Sequence, residues 1–268
     1  MPQPATRPLW TVLAAAFALV AVTACEAQHV AAPPVLPVAP PADVVASTLP
    51  PLPPATSIPA PLERSVSADV SYPENGSAEW RFAAGDGPVA GQNGKLARYR
   101  LAVETDIGGV DPGEFADAVE AILDDPRGWT AGGEWRLQRV GPASGFDFTI
   151  MLATPGTRDH LCGGTPDSYT SCRNGNSVVL NVARWSHAVP GYSASLAVYR
   201  QYMVTHEVGH RLGQGHQLCP GPGRMAPVMQ QQTLGLHGCV PNPWPYPDGR
   251  LYAGASGEYD DPIPAGAS

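Results

Sequence analysis

The chain has 268 residues, 43% of them apolar and 15% charged, with 29 glycines and 31 prolines. A chain of that size can bury one full core without subdividing; its composition excludes a coiled coil or a collagen, and no internal repeat is visible. The formal charge of −8 comes from 24 acids against 16 bases, with Lys95 the only lysine. It argues against nucleic acid as a partner, since phosphate binding needs a basic face.

Met1 to Pro8 carries one basic residue, Arg7, and an uncharged run follows from Leu9 to Ala24. Such a run is short for a membrane span and suits the apolar core of a signal peptide. It ends in Val22-Thr23-Ala24-Cys25, which resembles the lipobox of bacterial lipoproteins, where small residues precede a cysteine that becomes lipidated. Residues 1–25 are read as an export signal with a lipobox, and Cys25 as the lipidation site. The protein is then expected on the outer face of the cell membrane, or secreted if the signal is cleaved in the ordinary way. From Glu26 to Arg64 there are 11 prolines in 39 residues. That segment cannot bury a core and is expected to be an extended tether, which leaves 65–268 as the folded domain.

With Cys25 assigned to the anchor, Cys162, Cys172, Cys219 and Cys239 remain, an even number in an exported chain. Of the three possible pairings, 162 with 172 and 219 with 239 are favoured, because each pair brackets a Gly/Pro-rich loop.

Within the domain, Ala97, Tyr99, Leu101 and Val103 alternate with polar residues as a half-buried strand does, and Asn93-Gly94 before them is a hairpin signal. Asp111-Pro112-Gly113-Glu114 supplies an N-cap, a proline at the first helical position and a glutamate placed for a capping box. Phe115, Val119, Ile122 and Leu123 then share a helical face, and Pro126 ends the segment. Strands are expected around Trp135 and Leu137, over Phe146, Phe148, Ile150 and Leu152, and from Val178 to Ala183. A second long helix should run from about Ser195 to Leu212, stopped by Gly213.

That second helix carries the chemistry. His206-Glu207-Val208-Gly209-His210 sets two imidazoles one turn apart on one face with a carboxylate beside them. A catalytic zinc needs three protein ligands and an open position. Gly213 can turn the chain sharply and bring His216 back to the same ion. All five fixed positions of H-E-x-x-H-x-x-G-x-x-H arise by chance in a chain of this composition on the order of 10⁻⁵ of the time.

The pattern resembles the metzincin clan of zinc endopeptidases. The resemblance implies one catalytic zinc on His206, His210 and His216, Glu207 as general base, and a methionine turn forming an apolar floor. Ala226-Pro227-Val228-Met229 fits that turn, which makes Met229 the floor and leaves Met225 aside. The fold implied is α+β and zincin-like, a twisted mixed sheet of about four to five strands packed on two long helices, with a loop-rich C-terminal subdomain. The run from His206 through Cys219-Pro220-Gly221-Pro222-Gly223 to Asn242-Pro243-Trp244-Pro245-Tyr246 also resembles a family of exported actinobacterial proteins of unknown function with a metzincin-like site. Where some metzincins place a tyrosine two residues after the methionine, this chain has Gln231, read as a surface or capping amide. Tyr246 is read as packing against the fold, His160 and His187 as solvated, and Cys219 as a disulfide partner in preference to a fourth ligand.

These readings converge on a membrane-tethered, monomeric zinc endopeptidase acting on a peptide or protein. The strand Val178 to Ala183 would pair with the extended substrate. A zinc hydrolase of cell-wall peptide amides and a non-catalytic zinc-containing envelope-binding module remain as alternatives. Replacing the lipidation site, Cys25→Ala, is expected to move the protein from the membrane fraction to the medium. Unchanged membrane retention, together with an unmodified Cys25 in the wild type, would refute the anchor.

Overall fold

The computed structural model describes residues 69–264. The export signal with Cys25, the tether and the first residues of the expected domain lie outside the described residues.

Among the described residues, seven strands and four α-helices make an α+β fold. The strands are β1 (Trp80–Phe82), β2 (Val89–Ala90), β3 (Lys95–Glu104), β4 (Trp135–Arg139), β5 (Phe148–Ala153), β6 (Cys172–Asn174) and β7 (Ser177–Asn181). The helices are α1 (Pro112–Leu123), α2 (Pro155–Cys162), α3 (Val182–His187) and α4 (Leu196–Arg211), with a 3-10 turn at Trp129–Gly132. All strands join one sheet in the order β2-β4-β3-β5-β7-β6. The centre, β4-β3-β5-β7, is parallel. The additions at its margins, β2 on β4, β6 on β7 and β1 on β3, are antiparallel. Ala102 and Val103 pair with both β1 and β5, so β1 lies on the side of β3 away from β5, the side that β4 occupies further down.

The sequence patterns explain the centre. β5 and β7 are buried almost throughout, as parallel strands covered on both faces must be. In α1 the Asp111 carboxylate accepts from the Gly113 and Glu114 N–H groups at 2.8 and 3.2 Å, satisfying donors that a helix start leaves open. Its apolar side buries Phe115, Val119, Ile122 and Leu123 between β3 and α4. α4 is capped by Ser195, and twelve of its sixteen residues are buried, from Ala197 to Gly209. Past Leu212 there are no further helices or strands among the described residues, so the C-terminal part is loop-rich as expected.

Several expectations need correction. The sheet has seven strands, because the two- and three-residue strands β1, β2 and β6 carry no readable period. Asn93-Gly94 does not close a hairpin: β4 lies between β2 and β3. Gly94 instead takes φ 92° where the chain passes Glu134, whose carbonyl carbon a Cβ would meet at 2.2 Å. Phe146 falls outside β5 and is 42% exposed, its ring 3.7 Å from the Arg100 guanidinium. The segment from Val178 to Ala183 ends as a strand at Asn181, whose side chain accepts from the Ala183 N–H at 2.9 Å and starts α3. β7 is also not the edge. Residues 172–174 fold back on it through Gly175 (φ 55°), so β6 occupies that border.

One buried carboxyl ties three segments together. Glu104, fully buried, accepts from the Ala78 N–H (2.9 Å), the Thr154 N–H (2.7 Å) and the Thr157 hydroxyl (2.6 Å), and so fixes the start of α2 on β3. Glu104→Ala strands those donors in a dry interior and is expected to lower unfolding free energy by about 2–4 kcal/mol. Chemical denaturation measures it, and an unchanged midpoint would show that the knot is dispensable.

Candidate metal centre

α4 delivers two imidazoles from one face, and the way it ends delivers the third. At its C-terminus the Gly213 N–H bonds to the His210 carbonyl (3.1 Å) and the Gln214 N–H to the Gly209 carbonyl (2.9 Å), with Gly213 at φ 97°. This is a Schellman motif, which needs a residue free to take positive φ. The reversal returns His216 to His210, their Nε2 atoms 3.1 Å apart, and His206 Nε2 lies 3.1 Å from the same atom.

The other ring nitrogens decide what those contacts mean. His206 Nδ1 bonds to the Val228 carbonyl at 2.8 Å, His210 Nδ1 to the Gln214 carbonyl at 2.9 Å, and His216 Nδ1 to Glu258 Oε2 at 2.8 Å. All three partners are acceptors, so each Nδ1 carries the proton and each Nε2 presents a lone pair. Three lone pairs facing one another repel unless a cation lies among them. Nitrogens held about 2.0–2.1 Å from one ion at tetrahedral angles are about 3.3 Å apart, close to the spacing here. Burial, the largest cause, holds the His206 imidazole well below the ordinary range and lowers His210 as well, which favours the neutral, ligating form. The three residues are thus a cluster that can hold a metal ion.

Glu207 is 6% exposed and lines the same cleft. Its Oε2 has no hydrogen-bond partner. Burial pushes its carboxyl up to about 8, against the pull of Arg158 and Arg173, and a cation at the histidines acts in the same sense as those arginines. The cleft, about 360 Å³, runs between α4, the β6 rim and the segment 231–234.

Met229 is fully buried in the turn closed by the Gln230 N–H bond to the Pro227 carbonyl (2.9 Å). The carbonyl before it holds His206, and its own carbonyl accepts from the Gln217 N–H at 3.0 Å, so this turn braces two of the three ligand segments. Met225, by contrast, is exposed. The two expected disulfides are present, Cys162–Cys172 and Cys219–Cys239, so Cys219 is not a free thiolate. They fit an exported protein, and no helix among the described residues is long and apolar enough to cross a membrane.

Gln231 departs from its surface reading: it lines the cleft, and its Oε1 is buried without a partner. Tyr246 packs against the fold beside Gly132, and His160 and His187 are exposed outside the cleft. Sequence reasoning missed Glu258, which no spacing rule connects to His216, and the cleft residues Arg158, Arg173 and Tyr202. It also passed over Gly209, an unspecified position of the motif.

A family model described as "Protein of unknown function (DUF3152)" matches residues 66–247, well over half of the chain, and the chain belongs to that family. No curated protein and no solved structure matches it.

Gly209 is where α4 comes closest to its supports. A Cβ there would sit 2.6 Å from the Met229 sulfur and 2.7 Å from the Trp129 ring, which is itself pinned by its indole N–H bond to the Thr205 carbonyl (2.8 Å). Gly209→Ala is expected to destabilise the fold by about 1–3 kcal/mol through overpacking, despite alanine's better helix propensity. Thermal unfolding tests this, and a variant that melts with or above the wild type would contradict the packing.

Proposed function

We propose that this family member is an exported, membrane-tethered, zinc-dependent endopeptidase. His206, His210 and His216 hold one catalytic zinc, Glu207 is the general base, Met229 is the apolar floor under the rings, and Cys25 carries the lipid anchor. One observation carries the reading: three Nε2 lone pairs, each aimed by an anchored Nδ1, converge beside a buried carboxylate that has a free oxygen. When bound, zinc supplies Lewis acidity to a water nucleophile and to the substrate carbonyl.

The chain's own groups do the rest. Glu207 Oε2 has no internal donor to give up, so it can take a proton from the attacking water and pass it to the leaving amine. A buried acceptor left unpaired costs stability in the resting fold, and such groups concentrate where chemistry needs them. Gln231, in the cleft wall, offers an amide N–H for charge developing on the carbonyl oxygen. β6 is the sheet border beside the cleft, and an extended peptide can add to it by backbone hydrogen bonds.

The division of labour within the motif is testable. His206→Ala, His210→Ala and His216→Ala should each drop zinc content well below one ion per chain. Glu258→Ala should weaken zinc binding by about 10- to 100-fold, because the carboxylate that orients His216 is gone while every ligand remains. Glu207→Ala should keep the metal yet lose about 10²- to 10⁴-fold in hydrolysis of a diverse peptide library. Cutting at the wild-type rate by Glu207→Ala would remove Glu207 from the role of base. Zinc binding by a wild type that cuts no peptide would favour the binding module, and turnover confined to cell-wall amides would favour that hydrolase.

A further inference from the structure

We propose that the cleft selects substrates carrying a carboxylate, and that the guanidinium of Arg173 is the group that receives it. The inference rests on the peptidase reading above for the polymer, a peptide, and adds its chemical class.

The charges facing the cleft are few. Outside the histidines its lining contains Arg158, Arg173 and Glu207 as the charged residues, so a chain with a net charge of −8 turns two guanidiniums and one carboxylate toward this space. The two arginines are not alike. Arg158 is committed: it pairs with Asp159 at 2.7 Å and with Asp167 at 2.8 Å, donates to the Thr170 hydroxyl at 2.6 Å, and its side chain is 6% exposed. It is a strut under the rim. Arg173 is exposed on β6 and has no carboxylate or hydrogen-bond partner for its side chain among the described residues. It lines the same cleft as Glu207 and the three histidines, so its charge faces the space a bound substrate would occupy.

Its backbone is held in place. The Cys162–Cys172 disulfide joins the preceding residue to α2, Arg158 holds the approach at Thr170, and Arg173 pairs with Val178 across the β6–β7 hairpin. A guanidinium on a fixed strand loses little backbone freedom on binding, and its planar fork matches a carboxylate at two points. The rest of the lining mixes Thr170, Ser171, Gln231 and Thr233 with Tyr202 and Leu234, and none of these supplies a charge that would compete with Arg173 for a carboxylate. A carboxylate reaches this position from an Asp or Glu side chain or from a peptide's C-terminus, and Arg173 recognises the same chemistry in both.

The test uses N-acetylated octapeptides in which each position in turn holds Glu, Gln or Lys, each made with a free and with an amidated C-terminus. Binding is measured by competition on the zinc-loaded full chain carrying Glu207→Gln, and cleavage on the wild type. At one or more positions Glu should bind about tenfold tighter than Gln. A preference that depends on the free C-terminus instead identifies that end as the source of the carboxylate. In either case the preference should vanish in Arg173→Ala, return in part in Arg173→Lys and turn toward Lys in Arg173→Glu. Zinc content and unfolding midpoint should match the parent in all three. Carboxylate-selective binding without cleavage would leave this inference standing and remove the peptidase. Cleavage with no charge preference, or a preference that survives Arg173→Ala, would overturn it, and no binding by any peptide would overturn both.

Discussion

Three imidazole lone pairs aimed at one point repel one another, and the fold holds them there by their other ends. Each Nδ1 is gripped by an acceptor from a different stretch of chain: Val228 in the methionine turn, Gln214 in the helix reversal, and Glu258 far along the C-terminal segment. Every one of these grips depends on further structure. The Gln214 carbonyl is in place because Gly213 tolerates φ 97°. The Val228 carbonyl is in place because the turn is closed at Pro227 and seated on Gly209. Glu258 is in place because the segment around it runs beside the third ligand, with the Leu218 N–H bonded to the Ala255 carbonyl at 2.8 Å and the Gly257 N–H to the His216 carbonyl at 3.1 Å.

The sheet serves the same end from the other side. Its parallel centre gives α4 a dry bed, and this helix, buried over most of its length, holds Glu207 in the cleft lining at 6% exposure with Oε2 unpartnered. The rim is built differently, from a three-residue strand stiffened by a disulfide and by a buried arginine with two acidic partners. Isolated surface ion pairs add little, but a shared, mostly buried guanidinium can hold a loop in one place. In the proposed function, this border is where an extended chain would add by backbone hydrogen bonds.

How much of this was legible follows from range. Alternation in Lys95–Glu104, the cap at Asp111 and the spacing of His206, His210 and His216 are local, and each has a physical period or turn that a sequence displays. The cysteine pairs were readable because each closes a short loop, 10 and 20 residues apart. The strands at 89–90 and 172–174 were not, being too short to alternate. Asn93-Gly94 misled because a dipeptide states what its backbone can do and not which strand will pair beyond it. α2 and α3 were missed because eight and six residues are too few to trace an amphipathic face. Glu258 was invisible for a related reason: 42 residues separate it from His216, and its carboxylate is an ordinary exposed one until the chain brings it there.

The placement of that carboxylate also sets a schedule. Among the described residues, all seven strands are complete by residue 181, before the first imidazole of the cluster appears at 206, and the last group that orients the cluster arrives at 258. A polypeptide delivered from its N-terminus can therefore lay down its sheet while the three rings do not yet exist as a set. The alignment of the third ring is a closing event, because His216 Nδ1 meets its acceptor only when the far segment docks beside residues 216–218. Because all three rings precede Glu258 by 42 residues or more, a metal can be met before that carboxylate docks, and its docking then tightens the hold through His216 alone.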